Sequence, residues 1–425
     1  MNWPLHRVVK AKPIKPYSFR NLLLSMSRNK IIGAVEIGTS KVLVLVGELG
    51  GEQSVSLIGY GKKISAGIKK GEIIDFNDAT KVTHAAIAEA ERSAGVNIDA
   101  IYLSMSGGHL QGTFNRGSAH VSSHDGRVVE QDVTRAVEDA KSRRLPERRL
   151  YVNHVRNPFL LDGKSVRSPV GLQGDNLEVG FWAVHGDENA IGNHIHAING
   201  FGLDVDDMIL SSICSGESSV FPPMKETGAL VIDIGRGTTD YALYRNNYVI
   251  RTGVVCVGGD HFTNDLSMGL RINTRSAEDL KKREGTLLID EIDNKEKVWL
   301  RGDYSIGDRE IPLRSIHKIL KIRAEELFLV IKDELSDLIE EEAPRHIVLT
   351  GGGSQLRGAL ELASEFFGIP SEQGYPPNWV DESLRIPENS TAIGLMLHAA
   401  KHYPAVQQRS SGLIRKLKGM FTSQR

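Results

Sequence analysis

The chain has 425 residues, of which 40% are hydrophobic and 25% are charged, and its formal net charge is −1. This length exceeds what one hydrophobic core usually contains, so two or more domains are expected, and the near-neutral charge gives no reason to expect nucleic acid as a partner. The two cysteines, Cys214 and Cys256, are too few for a disulfide framework and indicate a reducing compartment, with the cytoplasm as the default.

Residues 1–27 are predicted to be a disordered basic arm. They contain no acidic residue, and three prolines argue against a continuous helix. The apolar cluster at residues 22–24 is too short for the core of a secretion signal. No part of the sequence has the roughly 18 uninterrupted apolar residues that a membrane-spanning helix requires. We therefore predict no such helix.

After the arm, the sequence predicts elements in the order β-β-β-α-β. The strands are expected at residues 31–37, 41–48, 55–62 and 100–106. Before the last strand, apolar residues recur at helical spacing. Asp78 can cap this helix, and Gly95 ends it.

The same opening recurs about 200 residues later, which predicts an internal duplication. Its strands are expected at residues 229–234, 239–244 and 248–254, followed by a helix at 260–270. In each copy the first strand ends in an acid, an apolar residue and a glycine. These are Glu36 and Gly38 in the first copy, and Asp233 and Gly235 in the second.

The duplication divides the chain into segments. The first half is expected at residues 28–108 and 189–225, interrupted by an α/β insertion at 109–188 with a helix at 127–143 and a strand at 150–155. The second half is expected at 226–389, with an outer subdomain at about 260–335 and a long helix at 315–342. A closing helix at 390–404, a linker at 405–412 and a final helix at 413–425 complete the chain.

The two acid–glycine turns suit phosphate binding. Glycine lets backbone N–H groups approach a phosphate, and neighbouring hydroxyls add donors. The candidate contacts are Gly38, Thr39, Ser40, Gly235, Gly237, Thr238 and Thr239. Glu36 and Asp233, one from each half, would hold Mg²⁺ largely through its waters. A single turn of this kind is usually an ordinary β-hairpin, but its recurrence favours a triphosphate clamp.

A third glycine cluster consists of Gly351, Gly352 and Gly353. It follows an apolar strand at residues 346–349 and precedes a helix at about 356–367. A strand, a glycine loop and a helix N-terminus together are typical of nucleotide binding. The cluster lacks the Walker lysine and the GxGxxG spacing, so neither a P-loop nor a Rossmann site is supported.

These motifs, in this order, resemble those of the actin-like ATPase superfamily. Residues 36–41, ending in Lys41, resemble its first phosphate loop, 233–240 its second, 351–353 its adenosine loop and 390–395 its second connecting helix. Within the superfamily, residues 28–425 are most similar to the FtsA cell-division family. The insertion after His109 lies where that family has an extra domain, and residues 277–281 resemble the helix whose Glu278 and Lys281 flank the ribose and base.

The resemblance implies a duplicated, ribonuclease H-like α/β fold that binds ATP and Mg²⁺, with Gly351, Gly352 and Gly353 at the adenosine. Asp233 and Asp240 would be catalytic, Asp240 orienting the attacking water, with slow ATPase activity at most. The implied partners are FtsZ, further copies in a head-to-tail filament, anionic membrane lipid, and other division proteins through the inserted subdomain. The implied place is the cytoplasmic face of the inner membrane at the division site, where the protein would anchor the FtsZ ring.

Two positions depart from the family pattern. Arg236 stands where the second phosphate loop usually has glycine, and its side chain either reaches phosphate or points to solvent. Residues 211–220 match the first connecting segment only weakly, so Glu217 is a poor candidate for a metal ligand. A basic group at Arg271, Arg275, Lys281, Lys282 and Arg283 is a candidate surface for an acidic peptide of FtsZ.

The last 13 residues have the pattern of an interfacial membrane helix. Apolar residues fall on one face at Leu413, Ile414, Leu417, Met420 and Phe421, and positive charge is supplied by Arg415, Lys416, Lys418 and Arg425. The alternative is a helix that docks on the protein's own body. The polar linker before it favours the membrane interpretation.

Two other functions on the same fold remain open from sequence. An adaptor of the type IV pilus system shares the fold and cofactor but should lack the basic amphipathic terminus. A sugar kinase needs a general-base aspartate beside a sugar pocket in the first half, and no sugar-recognition signature is present. His185, His194 and His196 lack metal-ligand spacing and are expected to be ordinary surface or core residues.

Overall fold

The computed structural model describes residues 30–50, 54–289, 296–300 and 307–402. The predicted basic arm, the linker and the membrane-binding helix at 413–425 lie outside these residues. Among the described residues, no helix is both long and apolar enough to cross a membrane.

The first half is built on a five-stranded sheet. Its strands are β1 (Ile31–Ile37), β2 (Lys41–Leu49), β3 (Val55–Ile64), β6 (Ala100–Met105) and β11 (Val205–Leu210). They lie in the order β11-β6-β1-β2-β3, with β1, β2 and β3 antiparallel and β6 and β11 parallel to β1. A small hairpin of β4 (Ile68–Lys69) and β5 (Glu72–Ile73) follows β3.

The second half repeats this topology. Its strands are β12 (Ala229–Ile234), β13 (Thr239–Arg245), β14 (Tyr248–Val255), β17 (His346–Thr350) and β18 (Ser371–Gln373). They lie in the order β14-β13-β12-β17-β18, with the same antiparallel and parallel pairs as the first sheet. The predicted duplication is therefore confirmed by strand order and direction. An outer hairpin is formed by β15 (Lys297–Leu300) and β16 (Arg309–Pro312).

The insertion has its own four-stranded antiparallel sheet. Its strands are β7 (Gln111–His120), β8 (Arg149–Leu161), β9 (Lys164–Val166) and β10 (Asn176–Asp187). They lie in the order β7-β10-β8-β9. One face of this sheet packs against a helix through Ala136 and Ala140, which have side chains small enough for close contact.

Eleven α-helices are described. In the first half and the insertion they are α1 (Phe76–Ala94), α2 (Glu130–Lys141), α3 (Glu188–Asn199) and α4 (Ser211–Ser219). In the second half they are α5 (Pro222–Thr227), α6 (Gly259–Leu270), α7 (Thr274–Glu284), α8 (Leu313–Glu334), α9 (Ser336–Glu341) and α10 (Ala359–Phe367). The closing helix α11 (Ser390–His402) returns to the first half, where it packs against α4 and β1.

Three sequence expectations about helices were wrong in detail. The cap of α1 is Asp75, whose carboxylate accepts from the Asp78 backbone N–H, because the helix begins two residues before Asp78. The predicted long helix is broken at Leu335 into α8 and α9. Helical spacing predicts that Ile322 and Leu327 share a buried apolar stripe of this helix, but Ile322 is 53% exposed, whereas Leu327 is buried.

The two halves have separate hydrophobic cores and meet at α4 and α11. The crossing of these helices is very close, since a Cβ at Gly394 would overlap the backbone of Cys214. This contact brings the ends of β1 and β12 to opposite walls of one cleft. Both acid–glycine turns lie at those strand ends.

Candidate functional site

A cavity of about 840 Å³ lies in the cleft between the two halves. It is lined by fifteen of the predicted site residues. These are Glu36, Gly38, Thr39, Ser40, Lys41, Asp233, Gly235, Gly237, Thr238, Asp240, Glu278, Lys281, Gly351, Gly352 and Gly353. Residues as far apart in the chain as Glu36 and Gly353 therefore share one cavity.

The two turns have the same backbone geometry. The Gly38 N–H donates to the Lys41 carbonyl at 3.0 Å, and the Gly235 N–H donates to the Thr238 carbonyl at 2.9 Å. The turns also approach each other across the cleft, because a Cβ added to Gly237 would lie 2.5 Å from Thr39 Oγ1. Only glycine leaves room for this approach. The result is two facing hairpin turns at the wall of the cavity.

The prediction that Thr239 contacts phosphate is wrong. It is fully buried, does not line the cavity, and its hydroxyl donates to the Val257 carbonyl at 2.8 Å. Thr239 is the first residue of β13, where side chains alternate between faces, and Thr238 takes the cavity side. The hydroxyl of the second turn that faces the cavity is therefore that of Thr238.

Three carboxyl groups lie near one another in the cavity wall, each with hydroxyl or ammonium partners. Glu36 Oε1 is 3.6 Å from Lys41 Nζ. Asp233 Oδ2 accepts from Ser215 Oγ and from Thr391 Oγ1, the latter at 2.8 Å. Asp240 Oδ2 accepts from Ser106 Oγ at 2.8 Å and from Thr238 Oγ1 at 3.2 Å.

Burial raises the pKa of all three carboxyl groups. For Glu36 the nearby Lys41 opposes this effect, and for Asp233 the Ser215 and Thr391 hydroxyls oppose it. The pKa of Asp240 is raised to about 8, first by burial and then by the charge of Asp233. Three acids in one buried place are electrostatically unfavourable unless a cation joins them. Strongly shifted acids in a cleft are also typical of functional sites.

The residues present fit a magnesium ion. Glu36 Oε2 and Asp240 Oδ1 are buried oxygens without a hydrogen-bond partner among the described residues, and both residues line the cavity. In the described part of the chain, no three His, Cys, Asp or Glu side chains converge tightly enough to ligate one ion by themselves. Mg²⁺ sites commonly use one or two carboxylates and complete the shell with water and phosphate oxygens.

The third glycine loop lies directly against Asp233. Gly351 has φ 81° and ψ 167°, a conformation open to glycine alone. A Cβ there would overlap the Asp233 carboxylate and lie 2.6 Å from the Ile234 carbonyl. The loop therefore reaches the cavity because its backbone crosses over the end of β12 without a side chain between them.

Glu278 and Lys281 lie on α7, and both line the cavity. Lys281 Nζ is 2.7 Å from Glu278 Oε2, and it also donates to the Gly259 carbonyl at 2.9 Å and to Thr263 Oγ1 at 2.8 Å. Burial opposes ionisation of Glu278, but hydrogen bonds from Lys281 and Thr263 lower its pKa to about 2. Both side chains are therefore charged and held in fixed positions.

Sequence reasoning missed the hydroxyl groups that position the carboxylates. Ser215 bonds both Asp233 and Thr391, and Ser106 bonds Asp240. Ser215 belongs to α4, where the match to the first connecting segment was weak; the available signal was the serine-rich run of that helix. Glu217, on the same helix, lies outside the cavity and pairs with Lys225 at 3.2 Å and with Lys401.

The sequence predicts that His185, His194 and His196 are ordinary surface or core residues. The structure adds that one of them, His194, lines the cavity. His185 Nδ1 accepts from Arg149 Nε at 2.6 Å, which is a structural contact in the insertion. His194 is buried, bonds the Ala190 carbonyl and lines the cavity. Burial lowers its pKa, so it is neutral at physiological pH.

Two solved structures share the fold of this chain. A chain of the PilM-PilN type IV pilus biogenesis complex has a TM-score of 0.61 and 17% identity, covering 88% of this chain and 99% of that one. MreB5 of Spiroplasma citri bound to ADP has a TM-score of 0.53 and 16% identity, covering 89% and 99%. The duplicated sheets and the glycine-lined cleft thus define an actin-like ATPase fold.

Sequence comparison identifies the family. A model described as cell division protein FtsA matches residues 230–394, and one described as the SHS2 domain inserted in FTSA matches residues 107–185. The cell division protein FtsA of Pseudomonas aeruginosa is 31% identical over 404 residues, covering 93% of this chain and 94% of its own length. The chain belongs to the FtsA family of cell division proteins.

Proposed function

We propose that this protein binds ATP with Mg²⁺ in the cleft, forms actin-like filaments, and anchors the FtsZ ring to the cytoplasmic face of the inner membrane at the division site. Nucleotide binding is proposed chiefly because two facing turns have equivalent backbone hydrogen bonds, from Gly38 to Lys41 and from Gly235 to Thr238. Beside them, Glu36 and Asp240 each have a buried carboxylate oxygen that no described residue hydrogen-bonds, and a metal–phosphate group would satisfy both.

Each wall of the cavity has a distinct role in this proposal. The turns donate backbone N–H groups and the Thr39, Ser40 and Thr238 hydroxyls to phosphate, and Lys41 adds an ammonium. Glu36 and Asp233 lie on the metal side, where Mg²⁺ would neutralise phosphate charge when bound. The three-glycine loop, together with Glu278 and Lys281, would hold the adenosine.

Hydrolysis is expected to be slow. In this proposal Asp240 orients the attacking water, but burial and the charge of Asp233 raise its pKa to about 8, so without a bound cation it is largely protonated at neutral pH. With water as the nucleophile, the hydrolysis rate would depend on positioning and electrostatics. Filament formation needs nucleotide binding more than fast turnover.

The filament and membrane parts rest on the family and on the sequence of the tail. One short amphipathic helix binds lipid weakly, but a filament presents many tails and gains by avidity. Each basic residue near an anionic leaflet contributes about 1 kcal/mol. Nucleotide-dependent polymerisation would thereby control membrane attachment. The inserted subdomain remains the proposed contact for other division proteins.

The basic group proposed for FtsZ needs revision in the light of the contacts. Lys281 is held by Glu278, Gly259 and Thr263, and Lys282 pairs with Glu278 Oε1 at 3.0 Å. These two lysines and Arg283 line the cavity, so we assign all three to the nucleotide side. Arg271 and Arg275, both exposed, remain the candidates for an acidic FtsZ peptide.

Vesicle sedimentation tests the whole proposal. The protein should sediment with anionic vesicles more strongly with ATP and Mg²⁺ than without, and it should bring FtsZ with it. Asp233→Ala should lose the ATP effect because it removes the metal-side carboxylate, whereas deletion of residues 412–425 should lose vesicle binding and keep ATP binding. Wild-type ATP affinity in Asp233→Ala would refute the site assignment.

Vesicle sedimentation also distinguishes the proposed membrane anchor from an adaptor of the type IV pilus system. The PilM-PilN structure is similar in fold only, at 17% identity. A protein without an interfacial helix should show no tail-dependent vesicle binding. Changing Leu417 and Phe421 to acids is the matched test, because it keeps the chain length and removes the apolar face. Unchanged binding in that variant would refute the anchor.

A further inference from the structure

The second turn differs from the first in where it places positive charge. The shared hydrogen bonds align Gly38 with Gly235 and Lys41 with Thr238. The fourth residue of the first turn is therefore a cation, Lys41, whereas the fourth residue of the second turn is the neutral Thr238. Instead Arg236, aligned with Thr39, lines the cavity.

The Arg236 side chain is held by one carboxylate through a single nitrogen. Nε donates to Asp260 Oδ1 at 2.8 Å. Within the described part of the chain, neither Nη group is hydrogen-bonded, and the side chain is 51% exposed. A guanidinium has five N–H donors, so four remain available at the cavity wall. Such a group suits two parallel bonds to a phosphate.

Asp260 is well placed to compete for this arginine. It lies in the first turn of α6, outside the cavity lining, and its backbone N–H donates to the Arg236 carbonyl at 2.8 Å. The neighbouring Gly259 N–H donates to the Gly235 carbonyl at 2.9 Å. The backbone of the turn is thus fixed to α6, and only the side chain of Arg236 is free to change partner.

We propose that Arg236 contacts a phosphate of the bound nucleotide, and that Asp260 binds the Arg236 side chain when no nucleotide is present. When a nucleotide binds, the guanidinium turns its Nη groups from the cavity wall to a phosphate oxygen, and the bond to Asp260 weakens or breaks. Asp260 remains stabilised at the N-terminus of α6, where a negative charge interacts favourably with the helix dipole. The exchange keeps the cavity from presenting an unpaired cation before the nucleotide arrives. This inference rests on the proposed nucleotide site.

Two substitutions should change affinity in opposite directions. Arg236→Ala should raise the Kd for ADP roughly 10-fold or more, the usual loss for charge-assisted bonds, and Arg236→Lys should restore it only partly. Asp260→Asn should lower the Kd for ADP, because it removes the competing charge and keeps the side-chain size. Adenosine, which has no phosphate, should bind all variants equally.

Isothermal titration with ADP and adenosine measures these effects, and Arg92→Ala is the matched control because it removes an exposed arginine of α1 that lies outside the cavity. Thermal unfolding of each variant shows whether it folds. Wild-type ADP affinity in Arg236→Ala, or weaker ADP binding in Asp260→Asn, would overturn the role of Arg236 while leaving the site intact. Absence of ADP and ATP binding in the unmodified protein would instead overturn the proposed function itself.

Discussion

Gly351 is the residue on which the backbone of the third glycine loop depends most. Its φ of 81° and ψ of 167° cost about 1–3 kcal/mol for any residue with a side chain, and a Cβ would overlap Asp233 as well. We expect Gly351→Ala to lower the free energy of unfolding by at least that amount and to abolish ATP binding. Urea denaturation and ATP titration measure the two effects.

The adjacent glycine provides the comparison for stability. A Cβ at Gly352 would lie 3.3 Å from Glu388 Cγ, which belongs to a flexible side chain that can move. Gly352→Ala should therefore change the free energy of unfolding much less than Gly351→Ala. Equal losses in the two variants would contradict the importance of the Gly351 backbone.

Asp240 should make the stability of the nucleotide-free protein depend on pH. Its pKa is about 8 in the folded protein and near 3.8 when unfolded, so the folded state binds the extra proton between these values. The stability contribution is complete below about pH 4 and is lost as pH rises to about 8, with a slope of at most about 1.4 kcal/mol per unit.

Asp240→Asn removes this dependence, since an amide has no proton to lose. Between pH 5.5 and 8 the unfolding free energy of the variant should fall less than that of the unmodified protein. Denaturant unfolding across this range tests the difference. Parallel curves would show that Asp240 is already ionised in the folded state.

At the level of elements, the start of α1 shows how a helix is fixed by one residue outside it. Asp75 accepts from the Asp78 N–H at 3.0 Å and satisfies a donor that the helix leaves free. Asp75→Ala should cost about 1 kcal/mol of stability, measured by urea denaturation.

Asp78→Ala is the natural control because Asp78 was the cap expected from sequence. It lies inside the first turn, where the loss of its interaction with the helix dipole is offset by the higher helix propensity of alanine. Its stability should stay close to that of the unmodified protein. A larger loss for Asp78→Ala than for Asp75→Ala would reverse the assignment.

At the level of the whole molecule, the insertion contacts both halves. Trp182 on β10 donates its indole N–H to Thr252 Oγ1 on β14 at 3.0 Å, and both residues are buried. The Arg251 guanidinium lies 5.3 Å from the centre of the Trp182 ring. The subdomain therefore spans from the first half, where it is inserted, to the sheet of the second half.

Removing one partner of the Trp182–Thr252 hydrogen bond should lower the free energy of unfolding more than removing both partners. Thr252→Val leaves a buried indole N–H without an acceptor and should cost about 1–3 kcal/mol, whereas Trp182→Phe combined with Thr252→Val removes donor and acceptor together. A double-mutant cycle by denaturant unfolding should give a coupling energy of about 1 kcal/mol. Strict additivity would mean that the insertion and the second half are not coupled through this pair.

Much of this architecture follows from local sequence signals. The strand boundaries near Glu36 and Asp233 were predicted because apolar runs end in an acid and a glycine, and a glycine turn fixes a hairpin without distant help. The duplication was visible because both copies have the same order of elements. The third glycine cluster was found because it lies between a strand and a helix.

Tertiary structure decided what these local signals do not contain. Which hydroxyls hold the carboxylates depends on how α4 and α11 cross, and this crossing places Ser215 and Thr391 on Asp233. The pKa of Asp240 depends on burial between two halves that lie far apart in sequence. The orientation of Thr239 away from the cavity and the pairing of Arg236 with Asp260 likewise follow from packing. Sequence by itself determined the turns, because their geometry is local; the structure decided their partners, because partners come from distant segments.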